Sequence, residues 1–89
     1  MKPEQVWERA CQLRDEKEKL YGKEAWRGLG VDGCLEAGTR KAVYLKAQRS
    51  NGLTDTEKFR EDLLDMINWA AFTYCLVEES NHEVDNNRS

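Results

Sequence analysis

Glu61, Asp62, Asp65 and Asn68 have residue types and spacing that could do chemistry. On a helix, Asp62 and Asp65 lie three apart and share a face, and Glu61, Asp65 and Asn68 form a second row through the same Asp65. Carboxylates held so close repel unless something positive sits between them. A hard divalent ion such as magnesium prefers such oxygen ligands and keeps water or phosphate as the others. The plainer alternative is an acidic first helical turn favoured by the dipole, with lysine or arginine partners from another helix. Asn68 lies between apolar neighbours, and a buried amide needs hydrogen-bond partners. That favours a functional role for Asp65 and Asn68.

A second constellation lies in GKEAWRGLGVDG, residues 22–33, with four glycines in twelve positions. A Gly-rich loop can bring backbone N–H groups close to a phosphate. It lacks the Gly-Lys-Ser/Thr ending of a Walker-type loop. Lys23 and Arg27 flank Trp26, and cations beside an aromatic ring can grip a phosphate and stack a base. Alternatively, Trp26 and Leu29 pin the loop onto the core.

Three helices must position these groups. Pro3 to Tyr21 reads as the first, with Pro at its opening position and Glu4 and Glu8 at the positive end of the dipole. Val6, Ala10, Leu13 and Leu20 recur at helical spacing, widened by Trp7 and Cys11. The charged run Arg14 to Lys19 is expected to be a solvated face with i, i+4 pairs such as Asp15–Lys19. Gly22 stops this helix. Leu35 to Arg49 reads as a second helix, with a weaker stripe of Leu35, Ala42, Val43 and Leu45. Glu36, Arg40 and Tyr44 fall on one face, with Lys41 beside them.

Ser50 to Leu53 is a turn marked by Asn51-Gly52. Thr54 to Glu57 reads as a capping box that opens the third helix. Phe59, Leu63, Ile67, Ala70, Tyr74 and Val77 then follow at spacings of three and four, the strongest periodicity in the chain. With Met66, Trp69, Ala71, Phe72, Cys75 and Leu76, the C-terminal half is apolar nearly all round. One small chain can hardly cover such a helix. A homo-oligomer, at least a dimer, is expected with this helix at the interface. The expectation is an all-α, three-helix protomer with a Gly-rich loop after helix 1, assembling into an oligomeric helical bundle. Residues 1–79 form its single domain, and 80–89 a polar, frayed tail.

Length, charge and cysteines limit the function classes. Eighty-nine residues make one small domain. The net charge of -3 excludes a global basic field for nucleic acid. Cys11, Cys34 and Cys75 are odd in number and widely spaced, which favours free thiols and a cytoplasmic setting. His82 is the one histidine, so a zinc site is not expected. The apolar part of the last helix is too short to cross a bilayer.

The order Leu20-Tyr21-Gly22-Lys23-x-x-Trp26, Gly30-x-x-Gly33, a helix bearing Arg40-Lys41, and then Glu61-Asp62-Leu-Leu-Asp65-Met-Ile-Asn68-Trp69-Ala resembles the nucleotide modification associated domain 1 family. Those are small helical domains, frequent in phages and distantly related to MazG-like all-α NTP pyrophosphohydrolases. The resemblance spans residues 20–79, most sharply in DLLDMINWA. It implies an oligomeric nucleotide-handling protein, encoded by a phage and working in the host cytoplasm. The MazG-like pattern uses two acidic pairs on two helices to hold metal. Here Asp62 and Asp65 supply the second pair. The first has only Glu36, with basic Arg40 and Lys41 where more acid would stand, and Arg40 beside Asp65 would neutralise it.

Two functions follow. In the first, the chain captures a nucleotide or nucleotide-derived signal at a subunit interface, without a metal cofactor. Lys23, Arg27, Arg40 and Lys41 contact phosphates, Trp26 or Tyr44 stacks the base, and Asp65 and Asn68 read base or ribose hydroxyls. A phage could use such a protein to sequester a host defence messenger. In the second, it is a magnesium-dependent nucleoside triphosphate pyrophosphohydrolase, with Glu36, Glu61, Asp62 and Asp65 as metal ligands. On both, Glu61 to Asn68 faces a ligand pocket and Trp69 to Val77 builds the subunit interface. The remaining alternative is a structural helical oligomer without a ligand.

Overall fold

Helix α1 runs over Pro3–Tyr21, as the sequence predicts. Its start is fixed by Pro3 and by the Lys2 N–H, which donates to Gln5 Oε1 at 2.8 Å. Gly22 ends it at φ 96°, in the left-handed region open to a residue without Cβ, and its N–H donates to Glu18 O at 2.9 Å. The computed structural model describes the backbone of residues 1–88 and the side chains of residues 1–81.

The expected long loop is mostly helical. After a turn at Gly22–Glu24 comes a 3-10 segment, Ala25–Leu29, and α2 starts at Gly30 and runs to Ser50. The glycines of residues 22–33 therefore punctuate short helical pieces instead of forming a loose phosphate loop. At Gly33 an added Cβ would sit 2.8 Å from Leu29 Cβ, so this glycine allows the 3-10 segment to fold directly against α2. The Asn51-Gly52 turn is present, with Gly52 at φ 72°. Helix α3, Glu57–Arg88, begins two residues later than a Thr54 cap would place it. Thr56 caps it in place of Thr54: its Oγ1 accepts from the Phe59 N–H at 3.0 Å. The helix continues through the region expected to fray, while the side chains from residue 82, His82 among them, and the whole of Ser89 lie outside the described residues.

Helix α3 packs against both α1 and α2. Gly38 makes the α2–α3 approach close, since a Cβ there would lie 3.4 Å from Trp69 Cβ. The inward face of α2 is Cys34, Gly38, Lys41, Leu45 and Gln48, at spacings of four, three, four and three. The inward face of α3 is Asp62, Asp65, Trp69, Phe72 and Leu76, at a similar rhythm. Both faces are regular in geometry and mixed in chemistry. Among the described residues the buried apolar side chains are Ala10, Cys34 and Leu45, whereas Asp62, Asp65 and Asn68 are buried polar ones.

This distribution corrects the expected core. Leu20, Leu35 and Val43 are exposed, as are Leu63, Tyr74 and Val77 of the strongest stripe. That stripe lies on the side of α3 away from Asp65. The structure thus divides α3 by face and not end to end: Trp69 and Phe72 point inward beside the acidic residues. Among the described residues no strand occurs, and no helix is long and apolar enough to cross a membrane. All three cysteines are free thiols.

Candidate functional site

The acidic box of α3 forms a buried ionic cluster. Asp62 is fully buried and its Oδ1 accepts from Lys41 Nζ at 3.1 Å and Lys58 Nζ at 2.6 Å, while Oδ2 accepts from Gln48 Nε2 at 2.9 Å. Asp65 accepts from Lys17 Nζ at 2.9 Å on Oδ1, and Lys41 Nζ stands 3.0 Å from its Oδ2. Lys17 also lies 3.9 Å from Glu61 Oε1. Asn68 Nδ2 donates to the Ala10 carbonyl at 2.9 Å and ties α3 to the middle of α1. The amide that the sequence leaves in need of a partner therefore has one.

Burial alone would push the Asp62 carboxyl up, but hydrogen bonds from Lys58, Gln48 and Lys41 outweigh it and hold the group below its ordinary value. Lys41 mirrors this. Desolvation would lower it, and hydrogen bonds to Asp65 and Asp62 raise it above the usual lysine value. A carboxylate with a depressed folded pKa contributes stability that is present above its unfolded pKa, about 3.9, and is lost as pH falls through the folded value. A lysine with a raised pKa contributes stability that is present below about pH 10.4 and is lost as pH rises through the folded value. Urea denaturation as a function of pH is therefore expected to show wild-type stability falling below about pH 4. Asp62→Asn should be less stable at neutral pH and should lack that acid component. An acid slope identical in both proteins would contradict the assignment.

Beside this cluster opens a cavity of about 390 Å³ between α1, the 3-10 segment, α2 and α3. Helix α1 contributes Arg14, Lys17, Glu18 and Tyr21, the connection Gly22, Ala25, Trp26 and Leu29, α2 contributes Lys41, and α3 Asp65, Asn68, Trp69 and Phe72. Three cations thus meet an aromatic wall around a buried carboxylate and amide.

Of the ligand residues expected from sequence, the cavity brings together Trp26, Lys41, Asp65 and Asn68. It does not include Lys23, Arg27, Arg40 or Tyr44. Arg27 Nε bonds Glu24 Oε2 at 2.8 Å, and its Nη1 reaches Glu79 Oε1 at 2.8 Å and Oε2 at 2.6 Å. Arg40 pairs with Glu36 at 2.6 Å on an exposed face. Consecutive helical residues are turned about 100° from each other, so Lys41 faces Asp65 and Arg40 faces out. Tyr44 borders a separate depression with Gln48, Lys58 and Asp62.

Trp26 pins the segment onto the core. It stacks on Phe72 with centroids 4.5 Å apart and planes 5° apart, and the Arg27 guanidinium lies 4.7 Å from its ring centroid. Stacked on Phe72 and close to the Arg27 guanidinium, the ring is held in the packing and is not a free platform for a base. Phe72 also meets Trp69 edge-on at 5.5 Å. The Trp26 Nε1 is buried without an acceptor among the described residues.

Arg14, Lys17, Tyr21, Trp69 and Phe72 are among the cavity residues that sequence reasoning passed over. A signal for the first three exists: they continue the face of the buried Ala10 at spacings of four, three and four. The charged run concealed it, since Lys17, though part-exposed, reaches a buried carboxylate. Asp15 pairs with Arg14 at 3.2 Å, in place of the expected Lys19.

The four carboxylates named for magnesium do not form a ligand set in this arrangement. Asp62 and Asp65 are occupied by ammonium groups, Glu61 stands beside Lys17, and Glu36 is held by Arg40. Among the described residues no cluster of three or more acidic, histidine or cysteine side chains has the geometry of a metal site. The chain matches no protein-family model, no curated protein and no solved structure, so the functional reading rests on the cavity's own chemistry.

Proposed function

We propose that this is a helical nucleotide-binding protein that captures a nucleotide or nucleotide-derived signalling molecule in the cavity between α1, the 3-10 segment, α2 and α3. The observation that carries this reading is the joining of Arg14, Lys17 and Lys41 to an aromatic wall within one cavity. Its volume falls within the range of about 300–1,000 Å³ usual for small-molecule sites. The lining sets these three cations against Glu18 and Asp65, and Arg14, whose in-chain partner is the exposed Asp15, is the one most readily turned to an anionic ligand.

In this reading Arg14 and Lys17 contact phosphate through charge-assisted hydrogen bonds. Lys41 supplies field from the floor, and Asp65 positions Lys17 and Lys41. Tyr21, exposed at the end of α1, offers the stacking surface that Trp26 does not. Asn68 reads a base or ribose group through its carbonyl, because its amide nitrogen is engaged by Ala10. The expected subunit-interface site becomes a pocket built by one protomer, inside the homo-oligomer that the exposed apolar surface favours. Carboxylates with ammonium partners favour holding the ligand over magnesium-dependent hydrolysis. In a phage setting, which the family resemblance implies, such capture would serve to sequester a defence messenger.

The test is to incubate the protein with nucleoside triphosphates and cyclic nucleotides, with and without magnesium, and to chromatograph what is released on denaturation. Intact ligand, retained regardless of magnesium, is the expected result. Magnesium-dependent release of pyrophosphate would replace capture by pyrophosphohydrolysis. Retention of none of the nucleotides would overturn both.

A further inference from the structure

The outward face of α3 carries Leu63, Ile67, Ala70, Tyr74 and Val77, at spacings of four, three, four and three. This is the alternation of a helix–helix seam in which knobs of one helix enter holes of another. Within the protomer the seam is only partly covered: Tyr74 is 67 % exposed, Leu63 and Val77 are 37 % and 38 % exposed, Ala70 is exposed and Ile67 is half-buried. A chain of this size buries only a modest fraction of its surface, and here the buried apolar side chains of the described residues are Ala10, Cys34 and Leu45.

Charge at the seam's edge identifies the occupant. Arg60 and Glu78 stand five helical turns apart, about 27 Å, and so lie along the same flank of the seam. Their midpoint falls next to Ala70, the smallest residue of the seam, where two helix axes can approach to the usual 8–10 Å. A surface with opposite charges placed evenly about its own centre is complementary to itself under a two-fold rotation. In an antiparallel pairing Arg60 of each copy meets Glu78 of the other. In a parallel pairing the two-fold axis runs along the helices and carries this flank to the opposite side of the seam, so Arg60 and Glu78 of the two copies do not meet. Arg60 holds Asp55 at 2.6 Å in the protomer, but Asp55 is 95 % exposed and such a pair exchanges at little cost.

We infer that α3 docks antiparallel on α3 of a second copy of this chain, with the two-fold axis beside Ala70 and an Arg60–Glu78 pair at each end. The inference stands independently of the nucleotide reading.

Sedimentation velocity of the full chain, with circular dichroism to monitor folding, tests it. The wild type should sediment as a dimer or a larger even-numbered assembly, and Ala70→Glu should sediment as a helical half-size species. Arg60→Glu and Glu78→Arg should each weaken association roughly tenfold, because each replaces two attractive pairs by two repulsive ones. The double variant Arg60→Glu/Glu78→Arg should recover wild-type association to within about threefold. A monomeric wild type at tens of micromolar would overturn the proposal. So would single charge variants that associate normally, or a double variant that fails to recover.

Discussion

Lys41→Met is expected to lower the unfolding free energy by about 3 kcal/mol, the lower end of the range for breaking a buried ion pair by removing one partner. Its Nζ is shared by two buried carboxylates, at 3.1 Å from Asp62 and 3.0 Å from Asp65. Methionine keeps the aliphatic stem and removes the charge, so both carboxylates lose a donor while packing is retained. Asp62 keeps Lys58 and Gln48, and Asp65 keeps Lys17, which moderates the loss. Arg40→Met, one residue away, removes an exposed pair and should cost less than about 1 kcal/mol. In an Asp62→Asn/Asp65→Asn background the cost of Lys41→Met should shrink toward that of Arg40→Met. Urea titration of these variants at neutral pH is the measurement. Equal costs for Lys41→Met and Arg40→Met in the wild-type background would show that the buried carboxylates do not depend on Lys41.

Arg14→Ala should separate binding from folding. Arg14 lines the cavity and its in-chain partner is Asp15, an exposed neighbour, so its loss should change stability by less than about 0.5 kcal/mol. A charge-assisted hydrogen bond to phosphate contributes roughly 1.5–3 kcal/mol, so nucleotide affinity should fall about 10- to 150-fold. Lys17→Ala should reduce affinity comparably but also destabilise the protein, because it unpairs one side of buried Asp65. Equilibrium dialysis alongside urea denaturation reads both quantities. Unchanged affinity in Arg14→Ala with normal folding would remove this residue from the phosphate contact.

The helices were legible in the sequence because their boundaries depend on local chemistry. Pro3, Gly22 and Asn51-Gly52 punctuate the chain where physical rules place them. The 3-10 segment was hidden because four glycines in twelve residues suggest a loop, whereas they serve a tight path between α1 and α2. The faces were harder. The most regular apolar stripe of α3 faces away from the chain's own core, so periodicity identified the helix without identifying what it packs against. The inward faces contain Gly38, Lys41 and Gln48 on α2 and Asp62 and Asp65 on α3. A hydrophobic pattern cannot reveal a core held by ions.

The candidate site shows the same division. Asp65 and Asn68 stood out because they are polar residues at helical spacing next to an apolar run, and both line the cavity. Arg40 and Lys41 are indistinguishable by composition, and the helical register alone sends one outward and the other to the carboxylates. Lys17 was concealed within a charged run, since nothing local reveals that Asp65 lies opposite it. Trp26 stands out beside Lys23 and Arg27, but its partner Phe72 comes from the far side of the sequence, and that contact makes the ring a clasp for the 3-10 segment.

The nucleotide reading can be decided by isothermal titration calorimetry of the folded wild-type chain. The titrants are nucleoside mono-, di- and triphosphates and cyclic nucleotides, with inorganic phosphate as reference. At least one nucleotide is predicted to bind at one per protomer, with a Kd below roughly 10 µM and more tightly than phosphate. Binding should weaken in Arg14→Ala without loss of helical signal. Saturable heat from none of these nucleotides, or binding indifferent to both Arg14→Ala and Lys17→Ala, would contradict a nucleotide site in this cavity.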